Sequence, residues 1–499
     1  MTLMRTCTIV LFAIAVSAAN PLSAQDRPPE LPPDLSLEEA VDLAIHYNPS
    51  YRQAANDASP AGWAVRNAYT TLLLPRFDAS TSFNYSGSGS QRFLTTDFQQ
   101  PSATVGSSYG LSLSWAFDGS TLFRPSVEKA AQRATLASID AVGMTIRNLV
   151  AQQYLGVLEA LAQVALQEQE VTRNEENLRL AQARFDVGQS TILDVRQAEV
   201  AKGRSDVALL QANQAVIVEK LRLFQQMGVP APIELETVAL TDTFPVMEPD
   251  WVLDDLLRMA EEQNPDVLSL RAQARSAGRN ESAVKSEWLP SMRVSAGWSG
   301  FTQQFTDDGF LISQAQTSAT GQMQSCANQN QINTVAGLPV QDCSAFAFTP
   351  QTEADIRASN SAFPFSFQQQ PFQAGVTFSL PIFDQFSRSL QVSQASAQTE
   401  DAEEAVRARE LLVRTEVTQM HYGLLAAYEA IQLQLTNRVA AQEQLRLQRE
   451  RYRVGSGTFF ELLDAQLLAE QAEADYITAL YSYHRAMANL EAAVGRRLR

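Results

Sequence analysis

Two hydrophobic periods alternate along this chain, and the points where one gives way to the other divide it. From residue 36 apolar positions recur at helical spacing, with Ser36 placed to cap and Glu39 to complete a capping box, until Pro49 interrupts the run EEAVDLAIHYN. A second, less regular helical piece runs towards Leu73. After Pro75 the period falls to two. Phe77, Ala79, Thr81, Phe83 and Tyr85 take one face, and Asp78, Ser80, Ser82, Asn84 and Ser86 the other. Tyr109, Leu111, Leu113, Trp115 and Phe117 repeat that alternation against Gly110, Ser112, Ser114, Ala116 and Asp118, so two strands are predicted around a Ser/Gln/Thr-rich loop at 87–108. From about 125 to 186 the pattern is helical, with no proline after Pro125. At 1.5 Å per residue those roughly 60 residues span about 90 Å, which predicts lateral packing against similar rods. A return helix, 191–227, ends at Gly228 with Pro230 and Pro232 beyond.

The same order then recurs. WVLDDLLRMAEEQNPDV echoes LSLEEAVDLAIHYNPSY, with Asn264-Pro265 matching Asn48-Pro49 and Leu289-Pro290 matching Leu74-Pro75. A strand carries Met292, Val294, Ala296 and Trp298 on its apolar face, and its partner carries Phe372, Ala374, Val376, Phe378 and Leu380. A proline-free helix from about 387 to 453 turns and returns to Val494, where Gly495 matches Gly228. The division is therefore a first repeat at 35–228, a linker at 229–250 and a second repeat at 251–499. The offset between halves grows from about 216 at Asn-Pro to about 267 at the later turn. The roughly 50 extra residues fall mostly in a Gln/Asn/Ser/Thr-rich loop, 300–371.

The helical turns are the sharpest part of the repeat. RFDVGQSTILDVRQ from residue 184 and RYRVGSGTFFELLD from residue 451 align Arg184 with Arg451, Phe185 with Tyr452, Val187 with Val454, Gly188 with Gly455 and Thr191 with Thr458. Asp194 and Glu461 follow three residues later. Gly188 and Gly455 suit the positive φ that ends a helix, and Thr191 and Thr458 the cap that starts the next.

Composition narrows the setting. The 499 residues carry a net charge of −17, which argues against a nucleic-acid partner. Residues 1–24 read as a secretory signal: Arg5 is the positive n-region, residues 7–19 the apolar core and Leu22-Ser23-Ala24 the cleavage site. A proline-rich leader, 25–34, follows, and Gln25 rather than Cys gives no support for a lipid anchor. Cys7 leaves with the signal. Cys326 and Cys343 remain, a disulfide or two buried thiols. No later stretch approaches the ~18 apolar residues of a membrane-spanning helix, so any crossing is by strands, although one hairpin alone fits a soluble half-buried pair equally well. No catalytic constellation, cofactor motif or phosphate loop stands out, and His46, His421 and His484 lack metal-ligand spacing and read as helix-surface or interface residues. Trp115 and Trp298 read as interfacial anchors at strand ends.

Behind a signal peptide, the repeated order helix, strand, strand, long helix, turn, helix resembles the outer-membrane efflux protein family, the TolC-like channel-tunnels, over essentially all of the mature chain. The paired R-[FY]-x-V-G-x-x-T-x-x-[DE] turns and the duplicated Asn-Pro and Leu-Pro landmarks carry the resemblance. It implies a mixed α and β membrane protein: a homotrimer with one twelve-stranded outer-membrane β-barrel, four strands from each chain, continued by a long α-helical periplasmic barrel. It implies an outer-membrane location in a Gram-negative bacterium and a passive exit duct. The partners would be outer-membrane lipid, a periplasmic adaptor (membrane fusion) protein and an inner-membrane transporter of RND, ABC or MFS type. By the same resemblance Glu461 and Asp464 line a periplasmic gate and selectivity ring, or are simply dipole-complementing charges at a helix start. Asp194 and Tyr452 match gate contacts, and Gly457 stands where some relatives carry arginine. Val187, Gly188, Thr191, Val454, Gly455 and Thr458 match adaptor-docking turns, which a plain helical hairpin would also explain. A protein-secretion (type I) duct is the alternative cargo reading, and a soluble periplasmic coiled-coil adaptor the rival from another class.

Overall fold

The computed structural model describes residues 33–93, 96–100, 102–235 and 238–498. The signal and nearly all of the leader lie outside that range. In chain order, β1 (Asp34–Leu35) leads to α1 (Leu37–Tyr47), α2 (Pro49–Asn56) and α3 (Ala58–Leu73), then β2 (Arg76–Ser86), a small hairpin of β3 (Gly89–Phe93) and β4 (Thr96–Gln100), and β5 (Thr104–Phe117). Two long helices follow, α4 (Gly119–Asp186) and α5 (Ile192–Met227), then β6 (Ala239–Leu240). The second half has α6 (Leu253–Gln263), α7 (Pro265–Lys285), β7 (Ser291–Phe305), α8 (Gly309–Val335), α9 (Pro350–Ser359), β8 (Gln368–Gln369), β9 (Gln373–Ser379), α10 (Ser387–Arg453) and α11 (Phe459–Val494).

Several boundaries differ from the sequence reading. Helix α4 starts six residues before Pro125, because the Asp118 carboxylate accepts from Thr121 N at 2.7 Å and so caps it; Pro125 forfeits one bond in the second turn. By length and composition alone α4 could also cross a membrane, contrary to expectation. Its Val150, Tyr154 and Val157 instead belong to a buried core. Most of 300–371 is not loop but helix: α8 is rich in Gln, with Asn, Ser and Thr spread through it and no amphipathic stripe, so periodicity gave no sign of it. Cys326 on α8 is disulfide-bonded to Cys343, Cα to Cα 5.7 Å. The fourth strand is interrupted around Pro371, where residues 370–372 stand opposite only 298 and 299 of β7, a bulge that leaves β8 and β9 as two segments.

The chain forms two compact units, and these do not follow the repeat: one contains residues up to 64, 128–279 and 395 onward, the other 65–127 and 280–394. In the strand unit β2, β5, β7 and β9 form an antiparallel sheet in that order. Register carries the alternation across it. Phe77, Leu113, Ala296 and Ala374 make one row, and Arg76, Ser114, Ser295 and Gly375 the next, on the opposite face. Apolar side chains thus share one face of all four strands. Trp298 lies at the middle of β7 rather than at a strand end, and Trp115 donates its indole N–H to Leu72 C=O at 3.2 Å.

In the helical unit each half has its own core. Leu35, Val41, Ile146, Tyr154, Phe224 and Met227 belong to the first, and Leu256, Val417, Leu424, Tyr483, Met487 and Leu490 to the second. One junction is built in both halves. The side chain of Asn48 accepts from Ser50 N at 2.9 Å to cap α2 and donates to Gln226 C=O at 2.7 Å; Asn264 accepts from Asp266 N at 3.0 Å and donates to Ala493 C=O at 2.8 Å. Close against each Asn packs a left-handed glycine: a Cβ on Gly228 would meet Tyr47 C=O at 2.5 Å, and one on Gly495 would meet Gln263 C=O at 2.4 Å. The Asn-Pro landmarks and the helix-ending glycines are therefore two sides of one contact.

Between the halves, α4 meets α11 through polar groups. Gln152 Nε2 donates to Asn489 Oδ1 at 3.1 Å and Arg485 pairs with Glu159 at 2.5 Å. Of the three histidines only His46 lies on the surface; His421 and His484 are buried, the first beside Tyr422 and the second among Phe244, Tyr481 and Tyr483.

Candidate functional site

Both helical turns close in the same way. Gln189 N donates to Arg184 C=O at 2.8 Å and Gly188 N to Phe185 C=O at 2.9 Å; in the second turn Ser456 N donates to Arg451 C=O at 2.9 Å and Gly455 N to Tyr452 C=O at 3.1 Å. The glycines have φ of +74° and +83°. Thr191 and Thr458 then cap α5 and α11 in capping boxes, with Asp194 and Glu461 as reciprocal partners. Glu461 Oε2 accepts from Thr458 N at 3.0 Å, and Asp194 Oδ2 from Thr191 N at 3.3 Å. The two acids therefore have a local role at the helix start. Glu461 is half-buried, and Asp464, on the next turn of the same helix, is exposed.

The turns pack on each other. Ala181, Val195 and Ala198 from the first half and Tyr452, Phe459 and Leu462 from the second form one apolar cluster. Here the repeat loses its symmetry. Phe185 is 41% exposed, whereas its counterpart Tyr452 is 2% exposed. Arg184 reaches across: its guanidinium lies 4.5 Å from the centre of the Tyr452 ring, Nη1 donates to Tyr452 C=O, and Nη2 donates to Gln189 C=O at 3.3 Å. Arg451 stays within its own turn, donating to Gln448 Oε1 at 3.1 Å and to Ser456 C=O at 3.5 Å. The Tyr452 hydroxyl is buried with no hydrogen-bond partner among the described residues, so no direct bond joins it to Asp194. Burial raises the Tyr452 pKa, the Asp194 carboxylate adds to that, and Arg184 opposes it.

Above the turns lies a layer that the sequence reading missed. Gln466 Nε2 donates to Asn174 Oδ1 at 2.9 Å and to Glu170 Oε2 at 3.1 Å, and Asn177 Nδ2 donates to Gln466 Oε1 at 2.6 Å. Glu170 also pairs with Arg173 at 2.9 Å. The signal was there: Gln466 interrupts the buried stripe Leu462, Ala465, Ala469 of α11. Burial raises the Glu170 carboxyl, with Arg173 and Gln466 acting the other way. The exposed tips carry apolar Val187, Val454 and Phe460.

A profile of the family described as "Outer membrane efflux protein" matches residues 40–229 and 347–496. The chain belongs to the outer membrane efflux protein family. It is 23% identical over 346 residues to the outer membrane efflux protein BepC of Brucella suis, covering 68% of this chain and 62% of BepC. To the protein CyaE of Bordetella pertussis it is 26% identical over 278 residues, 53% of this chain and 54% of that one. These matches thus span little more than half of the relatives' lengths. The fold is shared more completely. The outer membrane protein VceC of Vibrio cholerae superposes with a TM-score of 0.65 at 15% identity, covering 93% of this chain and 97% of VceC. The outer membrane channel MtrE of Neisseria gonorrhoeae, in its open state, gives 0.63 at 18% identity, over 93% and 89%. The family profile leaves 230–346 unmatched, a stretch that holds α6, α7 and β7 as well as α8.

Proposed function

We propose that this efflux-family chain is the outer-membrane exit duct of a tripartite export system, working passively as a homotrimer with a twelve-stranded barrel. The observation that carries the reading is the sheet. One face is predominantly apolar across all four strands, and β2 and β9 are edges with no partner strand among the described residues. In hydrocarbon each unpaired backbone group would cost several kcal/mol, so the edges need other copies to close on. Three copies of four strands close one barrel. Repetition within the chain, with the two halves as duplicates, then gives a helical cylinder with two hairpins from each copy.

The turn end is the gate in this reading. Each half keeps its own apolar core, and beyond the apolar cluster at the turns α4 meets α11 through polar groups, so the hairpins can part without exposing either core. The small cluster at the turns with its Arg184 bridge must be broken, together with the polar layer around Gln466 and the polar contacts between α4 and α11. Glu461 and Asp464 from three copies would bring six carboxylates together and favour cations. The exposed apolar tips, Val187 and Val454 with Gly188, Gly455, Thr191 and Thr458, are the docking points for a periplasmic adaptor, which links the duct to an energised inner-membrane transporter.

Native mass spectrometry of protein extracted from outer-membrane fractions tests the assembly. A three-chain mass that falls to one chain on heating supports it; a monomer extracted from the soluble periplasm refutes it.

A further inference from the structure

On the apolar face of the sheet the last rows before the loops change chemistry. Ser107, Thr302 and Gln304 take positions that Leu111, Trp298 and Ala296 hold further down. Both hydroxyl residues are buried, although Phe77, Trp298 and Phe378 on that face are more than half exposed. What covers them is the segment 361–367, SAFPFSF. Ser107 Oγ donates to Pro364 C=O at 2.5 Å and lies 2.8 Å from Thr302 Oγ1, and Phe363 N donates to Gln304 Oε1 at 3.1 Å. Phe363 meets Phe83 edge-on at 6.4 Å, and Phe367 meets Tyr109 at 4.9 Å. Tyr109 can lie there because its cross-strand partner is Gly300, where a Cβ would come within 2.4 Å of the ring. Both ends are pinned. Asn360 bonds Phe305 N and C=O at 2.8 and 2.9 Å, and Gln370 N donates to Ser299 C=O at 2.8 Å.

The segment therefore folds back over the apolar face and not over the polar one. It hides two hydroxyls that would otherwise face hydrocarbon, and presents Phe365, 67% exposed, in a run from 358 to 383 without a charged residue. We propose that residues 361–367 form a strap on the outer wall of the barrel, with Phe365 seated at the boundary between headgroups and acyl chains of the outer leaflet. An aromatic ring in an uncharged, hydrogen-bonded segment suits that boundary. The lipid surface is continuous with the apolar rows below it, and the inference rests on the reading that this face meets lipid.

Spin labels at Phe365→Cys, Val376→Cys and Val335→Cys, in the full chain reconstituted in phosphatidylcholine vesicles, measure depth through the ratio of oxygen to nickel-chelate accessibility. The bonded Cys326–Cys343 pair takes no label. Val376 is the hydrocarbon reference, and Val335, 91% exposed on α8, the aqueous one. A ratio at 365 severalfold above that at 335 but below that at 376 is expected. A label at 376 in hydrocarbon with 365 equal to 335 overturns the strap and leaves the barrel standing; so does a label at 365 shielded from both reagents, which would mean a protein neighbour. A label at 376 as wet as that at 335 removes the lipid-face reading, and the strap with it.

Discussion

Arg184 and Arg451 occupy equivalent positions in the repeat, yet only Arg184 crosses between the turns. Replacing Arg184 with Met keeps most of its volume while removing the guanidinium over Tyr452 and the bond to Tyr452 C=O. A charge-assisted bond contributes about 1.5–3 kcal/mol and a cation–π contact about 1 kcal/mol. Because Arg184 is only half-buried, the sum is discounted to about 2 kcal/mol for the closed arrangement. At 1.4 kcal/mol per decade that raises the open-to-closed ratio roughly 30-fold. Arg451→Met loses contacts within its own turn only and should shift the ratio less than about threefold. Open probability in planar bilayers reads both variants under one set of conditions. Equal behaviour of the two would refute the asymmetry on which this account of the gate depends.

Other consequences are open to direct test. Glu461→Ala with Asp464→Ala should lower cation selectivity and divalent block; unchanged reversal potentials would leave both acids as cap charges only. Glu170 has a raised carboxyl, so the native state holds its proton more tightly than the unfolded chain does. Its stabilising contribution is full below the ordinary value of 4.5 and is lost as pH rises through the folded value. Glu170→Gln should flatten that part of the pH–stability curve, and a parallel curve would show that the carboxyl does not titrate there. Gly228→Ala forces a methyl to 2.5 Å from Tyr47 C=O at φ +74°, for a loss of about 3 kcal/mol; Gly188→Ala has the same φ and open space, for about 1 kcal/mol. Thermal midpoints of the two proteins should differ in that order, and a Gly228 variant as stable as the Gly188 one would contradict the junction.

The strands and long helices were legible because one physical pattern, burial or exposure of a face, repeats over many residues: Phe77 to Tyr85 announces itself at every second position. The turns were legible because glycine and threonine each answer a backbone requirement. Three things were not. Helix α8 has no sided pattern to find, since it lies exposed with Gln, Asn and small residues all round. The division of labour between Arg184 and Arg451 depends on which side chain points across, and identical letters hide it. The layer around Gln466 assembles residues almost three hundred positions apart, so a single polar letter in an apolar stripe marks only one wall of it.

Single-channel recording on the purified wild-type protein, after its oligomeric mass is determined, tests the duct most directly. A three-chain species with small, discrete, cation-selective conductance that divalent cations reduce is the expected result. A folded three-chain species that never conducts, or a soluble single chain, would contradict it.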